Sequence, residues 1–300
     1  MKYCTFQHGN RTTAGLVRGS SVFDLQACFF KSFKRPFKFR DLLGFLEADG
    51  PERVAELDLA ALSRDREACL PLREAKLRAP ILRPPKIVCV GLNYRAHAAE
   101  QKLEPPATPM LFAKAPNIVI GPGDEIRIPY PISEQVDYEC ELGAVIARPG
   151  YRIPRDQAHE HLFGYTIVND VTARDIQRGD KQWFRGKSMD TFAPMGPILV
   201  TPDEFDAANA PVSLTVNGET RQKSNTNDLI FDVPYLVEFI SAAFPLEAGD
   251  VISTGTPSGV GMSRTPQRWL EDGEEVSVEI DGIGRLTNTV RRVAPTGGVA

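Results

Sequence analysis

From residue 86 onward the chain is written in short β-branched runs broken by Gly and Pro: KIVCVGLNY, NIVIGPGDEIRIP, CELGAVIA, FGYTIVND, GPILVT, VSLTVNG, DVISTGTP and EEVSVEIDGIGRLTNTVRRV. Runs of this length with turn residues between them read as strands. Helical text such as LIFDVPYLVEFISAAF interrupts them only occasionally, so the expected fold is mixed α/β and strand-rich, a sandwich or roll. The first segment has a different texture. MKYCTFQ and TTAGLVRGSSVFDL look like strands around a polar HGNR turn, and FRDLLGFLEADGPERVAELDL follows as helical text. That predicts a small α+β unit. Pro80, Pro84 and Pro85 in RAPILRPPK favour extended backbone, which puts a boundary there, between residues 1–80 and 81–300.

With 300 residues, 42% of them hydrophobic and 25% charged, the chain can bury one large core or two unequal ones. A net charge of -4 and a pI near 5.7 provide no field that draws it to nucleic acid or an anionic membrane. The basic stretch KSFKRPFKFR, residues 31–40, interleaves Phe with Lys and Arg, the makings of a single-strand nucleic-acid platform. In an acidic chain a solvated loop with its aromatics tucked inward is the better reading. Cys4, Cys28, Cys69, Cys89 and Cys140 form no CxxC pair, which suggests free thiols in a reducing compartment. The N-terminus lacks a signal-like apolar core and no apolar run is long enough for a membrane span, so the expected location is cytoplasmic. The expected partners are small molecules and further copies of the chain.

The stretch VDYECELGAVIA, residues 136–147, sets Asp137, Glu139 and Glu141 at alternate positions among apolar residues. Side chains on a strand alternate, so Glu139 and Glu141 share one face while Tyr138, Cys140 and Leu142 point to a core. A half-exposed strand with a wet face is the plain explanation. Gly143, Val145 and Ala147 continue the acidic face without being polar, which points instead to the rim of a cavity, where paired carboxylates need a cation. Asp170 closes the apolar run of FGYTIVND, where it either caps a helix or adds a third acid. Three hard oxygen donors favour Mg²⁺ or Mn²⁺ over zinc. His159 and His161 in AHEH have no companion soft ligands and make a poor zinc site.

His97 and Glu100 in NYRAHAAE lie three apart on one helix face, where a carboxylate can orient an imidazole as a general base, unless they are an ordinary surface pair. Lys187, in FRGKSMDTFAPMGP, and Lys114, in PMLFAKAP, are either surface lysines or substrate contacts. STGTPSGVG, residues 253–261, exposes backbone N–H groups and the Thr256 hydroxyl, suited to gripping a carboxylate, and matches no nucleotide-binding loop.

Taken in order, NYRAHAAE, DYECELG, GYTIVNDVTARDIQ, FRGKSMDTFAPMGP and STGTPSGVG resemble the fumarylacetoacetate hydrolase family over roughly residues 86–292. The resemblance implies a β-roll catalytic domain preceded by the small N-terminal unit, a homodimer, and Mg²⁺ or Mn²⁺ held by Glu139, Glu141 and Asp170. It implies further that Arg174 and Gln177 contact substrate from a lid helix, that Lys187 is the active-site lysine, and that Gly255 and Thr256 form the substrate-carboxylate turn. His97 and Glu100 match the dyad of hydrolytic and decarboxylating members.

Such a site would handle a 2-oxo acid through its enolate, stabilised by the ion and Lys187. Attack of water on a C4 ketone makes an acylpyruvate hydrolase, the expected activity. Loss of CO₂ from oxaloacetate, or isomerisation of a 2-hydroxymuconate-type acid, uses the same enolate. Two rivals stand apart: a glycosidase working with Glu139 and Glu141, and a non-catalytic metal-binding protein.

Overall fold

A computed structural model describes residues 1–37 and 39–294 of the chain. Twelve strands form one mixed sheet, and ten of them run in the order Cys69–Pro71, Ser21–Asp24, Arg11–Arg18, Lys2–His8, Ala193–Val200, Leu162–Asn169, Cys140–Ile146, Val251–Ser253, Ile87–Gly91 and Met110–Lys114. Five more, Glu219–Asn225, Pro211–Val216, Glu275–Ile280, Gly284–Val293 and Glu125–Pro129, form a second sheet. The strand-rich mixed α/β fold expected from the β-branched runs is what the chain adopts.

Burial explains the division between the sheets. Cys140–Ile146 and Leu162–Asn169 are buried at every residue, as their near-continuous apolar text requires of strands covered on both faces. Pro211–Val216 alternates buried and half-buried residues, so its sheet presents one face to the larger sheet and the other to water. The helix Val233–Ala243 begins where Asp232 accepts a hydrogen bond from the Tyr235 N–H, and it buries Val233, Leu236, Val237 and Ile240 on one face.

The N-terminal strands join the same large sheet, through Lys2 opposite Val200 and Tyr3 opposite Leu199. The segment near residue 80 connects the Lys76–Arg78 and Ile87–Gly91 strands, and we propose that the smaller unit ends there. Two local expectations change. The helical text at 39–59 breaks into Leu42–Glu47, Gly50–Val54 and Leu59–Leu62, because Asp49 is left-handed (φ 51°) and Pro51 follows at a helix start. The basic stretch at 31–40 begins inside the helix Leu25–Phe33; Phe33, Phe37 and Phe39 all pack on Phe29, so its aromatics do turn inward, while Lys38 lies outside the described residues. Among the described residues no helix is long and apolar enough to cross a membrane, and all five cysteines are unpaired.

Candidate active site

The stretch at 136–147 is not one strand. Val136–Asp137 pairs with Thr172–Ala173 in a separate ribbon, and the large-sheet strand starts at Cys140. Between them the Asp170 N–H donates to the Glu139 carbonyl (3.0 Å), and the Asn169 side-chain oxygen accepts from the Glu139 N–H (3.1 Å). The antiparallel register of Cys140 opposite Asn169 therefore runs on by one pair, which sets the Glu139 and Asp170 side chains beside Glu141. One oxygen from each of the three carboxyls lies within 4.8 Å of the others, and all three residues are buried. Asp137 is diverted from this cluster: its oxygens accept from the N–H groups of Gly261 (2.7 Å) and Met262 (3.1 Å) and from Arg174 Nε (2.9 Å).

Three cations answer the acids. Lys187 Nζ donates to Glu139 (2.9 Å) and Asp170 (2.6 Å), Lys114 Nζ pairs with Asp170 and the Val171 carbonyl, and Arg174 bridges Asp137 and Glu139. Burial pushes the Glu139 carboxyl up, but Lys187 and Arg174 outweigh it and bring it down to about 2. Burial likewise pushes Lys187 down, and Asp170 and Glu139 more than restore it, so its ammonium form is favoured. Glu141 is the exception. Burial, then the charges of Asp170 and Glu139, raise it well above the usual carboxylate range. Its Oε2 accepts from Ser253 Oγ (2.6 Å) and the Gly255 N–H (2.9 Å), and its other oxygen has no donor among the described residues.

Asp137, Glu139 and Asp170 are thus matched by Lys114, Lys187 and Arg174, leaving Glu141 as a fourth acid with no ion-pair partner among the described residues. A divalent ion fits this donor set, because three buried carboxylate oxygens suit a hard ion and Glu141 gains the directly paired cation it lacks. His159 and His161 lie elsewhere, with His161 Nδ1 against the Arg148 carbonyl.

A cavity of about 460 Å³ opens over the acids, and His97, Glu139, Glu141, Arg174, Gln177, Lys187 and Thr256 all line it. Glu100 stands behind His97: its Oε2 lies 3.0 Å from His97 Nδ1 and its Oε1 accepts from the Gly259 N–H (2.8 Å). Burial raises the Glu100 carboxyl, yet His97 and the Gly259 N–H together bring it below its ordinary value. Lys114 and Gly255, expected beside substrate, are not on the cavity wall; the first is spent on Asp170 and the second gives its N–H to Glu141. Gln101, Arg178, Lys181 and Trp183, not singled out in the sequence, do line it. The signal for Arg178 and Lys181 was their spacing of four and seven residues from Arg174.

Residues 86–291 match the family model described as fumarylacetoacetate (FAA) hydrolase C-terminal. The chain belongs to the fumarylacetoacetate hydrolase family. A full-length member, the oxaloacetate tautomerase YisK of Bacillus subtilis (strain 168), is 42% identical over 97% of this chain and 100% of its own. The mitochondrial oxaloacetate tautomerase FAHD2A of Bos taurus is 44% identical over 74% of this chain and 71% of its own. Among solved structures of the family, the fumarylacetoacetate hydrolase EaFAH of Exiguobacterium antarcticum superposes with a TM-score of 0.84 at 37% identity, covering 98% of this chain and 100% of that one.

Proposed function

We propose that this enzyme interconverts the enol and keto forms of oxaloacetate or a close 2-oxo acid. The observation that carries the reading is that His97, held by Glu100, shares one cavity with Lys187 and the buried acids. A divalent ion bound by Glu139, Glu141 and Asp170 would draw electron density from the 2-oxo and carboxylate oxygens of the substrate. Lys187, kept in its ammonium form, stabilises negative charge that develops on the 2-oxo oxygen. Ketonisation removes the proton on that oxygen and adds one at C3. His97 is the group in the cavity suited to exchange it, because an ionised Glu100 holds the Nδ1 proton and leaves Nε2 with a lone pair. Tautomerisation needs only this base and the electron sink, and two relatives that cover most of this chain are named for it.

Acylpyruvate hydrolysis is the second reading. The same His97 and Glu100 pair favours it, since it would serve equally to activate water. Decarboxylation of oxaloacetate uses the sink without the base.

The test follows enol-oxaloacetate with Mg²⁺ by ultraviolet absorbance while pyruvate is assayed and C3 exchange is counted in D₂O by NMR. Accelerated loss of enol without pyruvate supports tautomerisation. Pyruvate from oxaloacetate marks decarboxylation, and acetate plus pyruvate from acetylpyruvate marks hydrolysis; either one at a rate exceeding tautomerisation overturns the first reading. A homodimer is proposed on family membership. Light scattering should return twice the single-chain 33.1 kDa, and the single-chain mass at micromolar concentration would count against it.

A further inference from the structure

The helix Arg174–Asp180 and its C-cap Lys181 place Arg174, Gln177, Arg178 and Lys181 on the wall of one cavity. Their spacing of three, four and seven residues is that of a single helical face. Their charges differ in standing. Arg174 is neutralised by Asp137 and Glu139, and Lys187 across the site by Glu139 and Asp170. Arg178 meets the neutral side-chain oxygen of Gln135, and neither Arg178 nor Lys181 has a carboxylate partner among the described residues. Both are exposed, so they form the outer part of a wall whose inner part is Glu139 and Glu141. Basic residues in a last helical turn complement the helix dipole, which accounts for their being there but not for both bordering the cavity. Much of the remaining lining is apolar, from Leu103, Met110, Phe112 and Trp183.

We propose that Arg178 and Lys181 select 2-oxo dicarboxylates over 2-oxo monocarboxylates by holding the carboxylate remote from the 2-oxo group. The inference rests on the 2-oxo acid reading above and adds which acids are preferred. A 2-oxo acid engaged at the buried end by its own carboxylate and keto oxygen leaves any second carboxylate directed away from the acids, toward the exposed part of the wall. Among the described residues of the lining, the other cations, Arg174 and Lys187, are already paired with carboxylates, so Arg178 and Lys181 are the cations left for that charge. Lys181 lies about 10 Å along the helix axis from Arg174, a span that long, flexible side chains can shorten to meet a small diacid. Exposed ion pairs are individually weak and screened by salt, so the two together change affinity by about fivefold to tenfold at low ionic strength.

The experiment is calorimetry on Mg²⁺-loaded protein, with and without the double substitution Arg178→Gln and Lys181→Gln. The probes are 3,3-difluorooxaloacetate, which cannot enolise, and 3,3-difluoro-2-oxobutyrate, which has the same 2-oxo end and no second carboxylate. The unaltered protein should prefer the diacid, and the double variant should lose that preference fivefold to tenfold while binding the monoacid unchanged. Half-molar salt should erase the difference. Equal losses on both probes, an undiminished preference in the variant, or no preference in the unaltered protein overturns the proposal. C3 exchange on oxaloacetate is measured alongside: its absence with diacid preference intact removes the tautomerase reading and leaves the selectivity standing.

Discussion

The Nε2 atom of His97 lies 2.8 Å from the side-chain amide nitrogen of Gln101. Glu100, held ionised, can only accept, so the hydrogen between it and His97 belongs to Nδ1. Nε2 then carries the lone pair, and the Gln101 amide donates to it. Gln101 thus fixes the form of His97 that can take up a proton, and it covers that lone pair until substrate arrives. Gln101→Glu replaces a donor by an acceptor and should drive a proton onto Nε2, seen as a shift of the His97 Nε2 signal in ¹⁵N NMR at neutral pH. Activity should fall by about the 10²-fold typical of an impaired general base. An unprotonated Nε2 with unchanged rates in this variant would show that Gln101 has no such part.

The acidic cluster was legible because alternate acids in apolar strand text are unusual, and Asp170 stood out at the end of such a run. The break in the strand was not legible. Nothing in VDYE signals that Val136–Asp137 leaves the sheet, since that departure depends on Thr172–Ala173, more than thirty residues away. Asp137 looked equivalent to Glu139 for the same reason, although its real partners are Arg174 and two backbone N–H groups in the loop after Gly259. Lys114 was singled out, but its pairing with Asp170 was not legible, because it depends on the pairing of Met110–Lys114 with Ile87–Gly91. Motif spacing marks which residues approach a site; long-range pairing decides which of them face the cavity.

Glu141 should exchange a proton for the ion. Its carboxyl is raised by burial and by Asp170 and Glu139, so without a cation it is the cluster's protonated member. Binding of Mg²⁺ or Mn²⁺ must displace that proton, and affinity should therefore rise with pH. Calorimetry in buffers of different ionisation enthalpy should show close to one proton released per ion. Glu141→Gln should abolish the release and weaken binding, whereas Asp170→Asn should weaken binding and, by removing one of the charges that raise Glu141, reduce the release only in part. Ion binding with no proton release would contradict this account of the charge balance.

Glu100 makes a separate prediction for stability. Its folded value lies below its ordinary 4.5, so its contribution is fully present above the unfolded-state value and is lost as pH falls through the folded one. A hydrogen-bonded charge of this kind is worth about 1.5–3 kcal/mol. Glu100→Gln should therefore lower the urea midpoint at pH 7, and the gap to the parent protein should narrow as the pH is taken below about 4. A gap that stays constant between pH 7 and pH 3 would mean that the charge is not what stabilises the pair.

Gly255 is where backbone geometry and the acidic cluster meet. Its φ is +101°, a conformation that side chains other than hydrogen rarely allow, and its N–H donates to Glu141 Oε2 at 2.9 Å. A Cβ there would stand 2.9 Å from both the Val90 carbonyl oxygen and Asn93 Cβ. Asn93 cannot easily give way, because its amide binds the carbonyls of Thr254 (2.7 Å) and Phe231 (3.0 Å). Gly255→Ala should cost about 2–4 kcal/mol from dihedral strain and overlap combined, a fall in Tm of about 3–6 °C for a chain of this length. It should also weaken Mg²⁺ binding, since relief of the overlap moves the N–H that holds Glu141. Gly9→Ala is the control: its φ is +58° and a Cβ there meets nothing within 4 Å, so it carries strain without displacing a neighbour. It should lower Tm by less and leave ion affinity untouched. Equal ion affinities in the two variants would separate the turn from the cluster and leave Gly255 a purely conformational requirement.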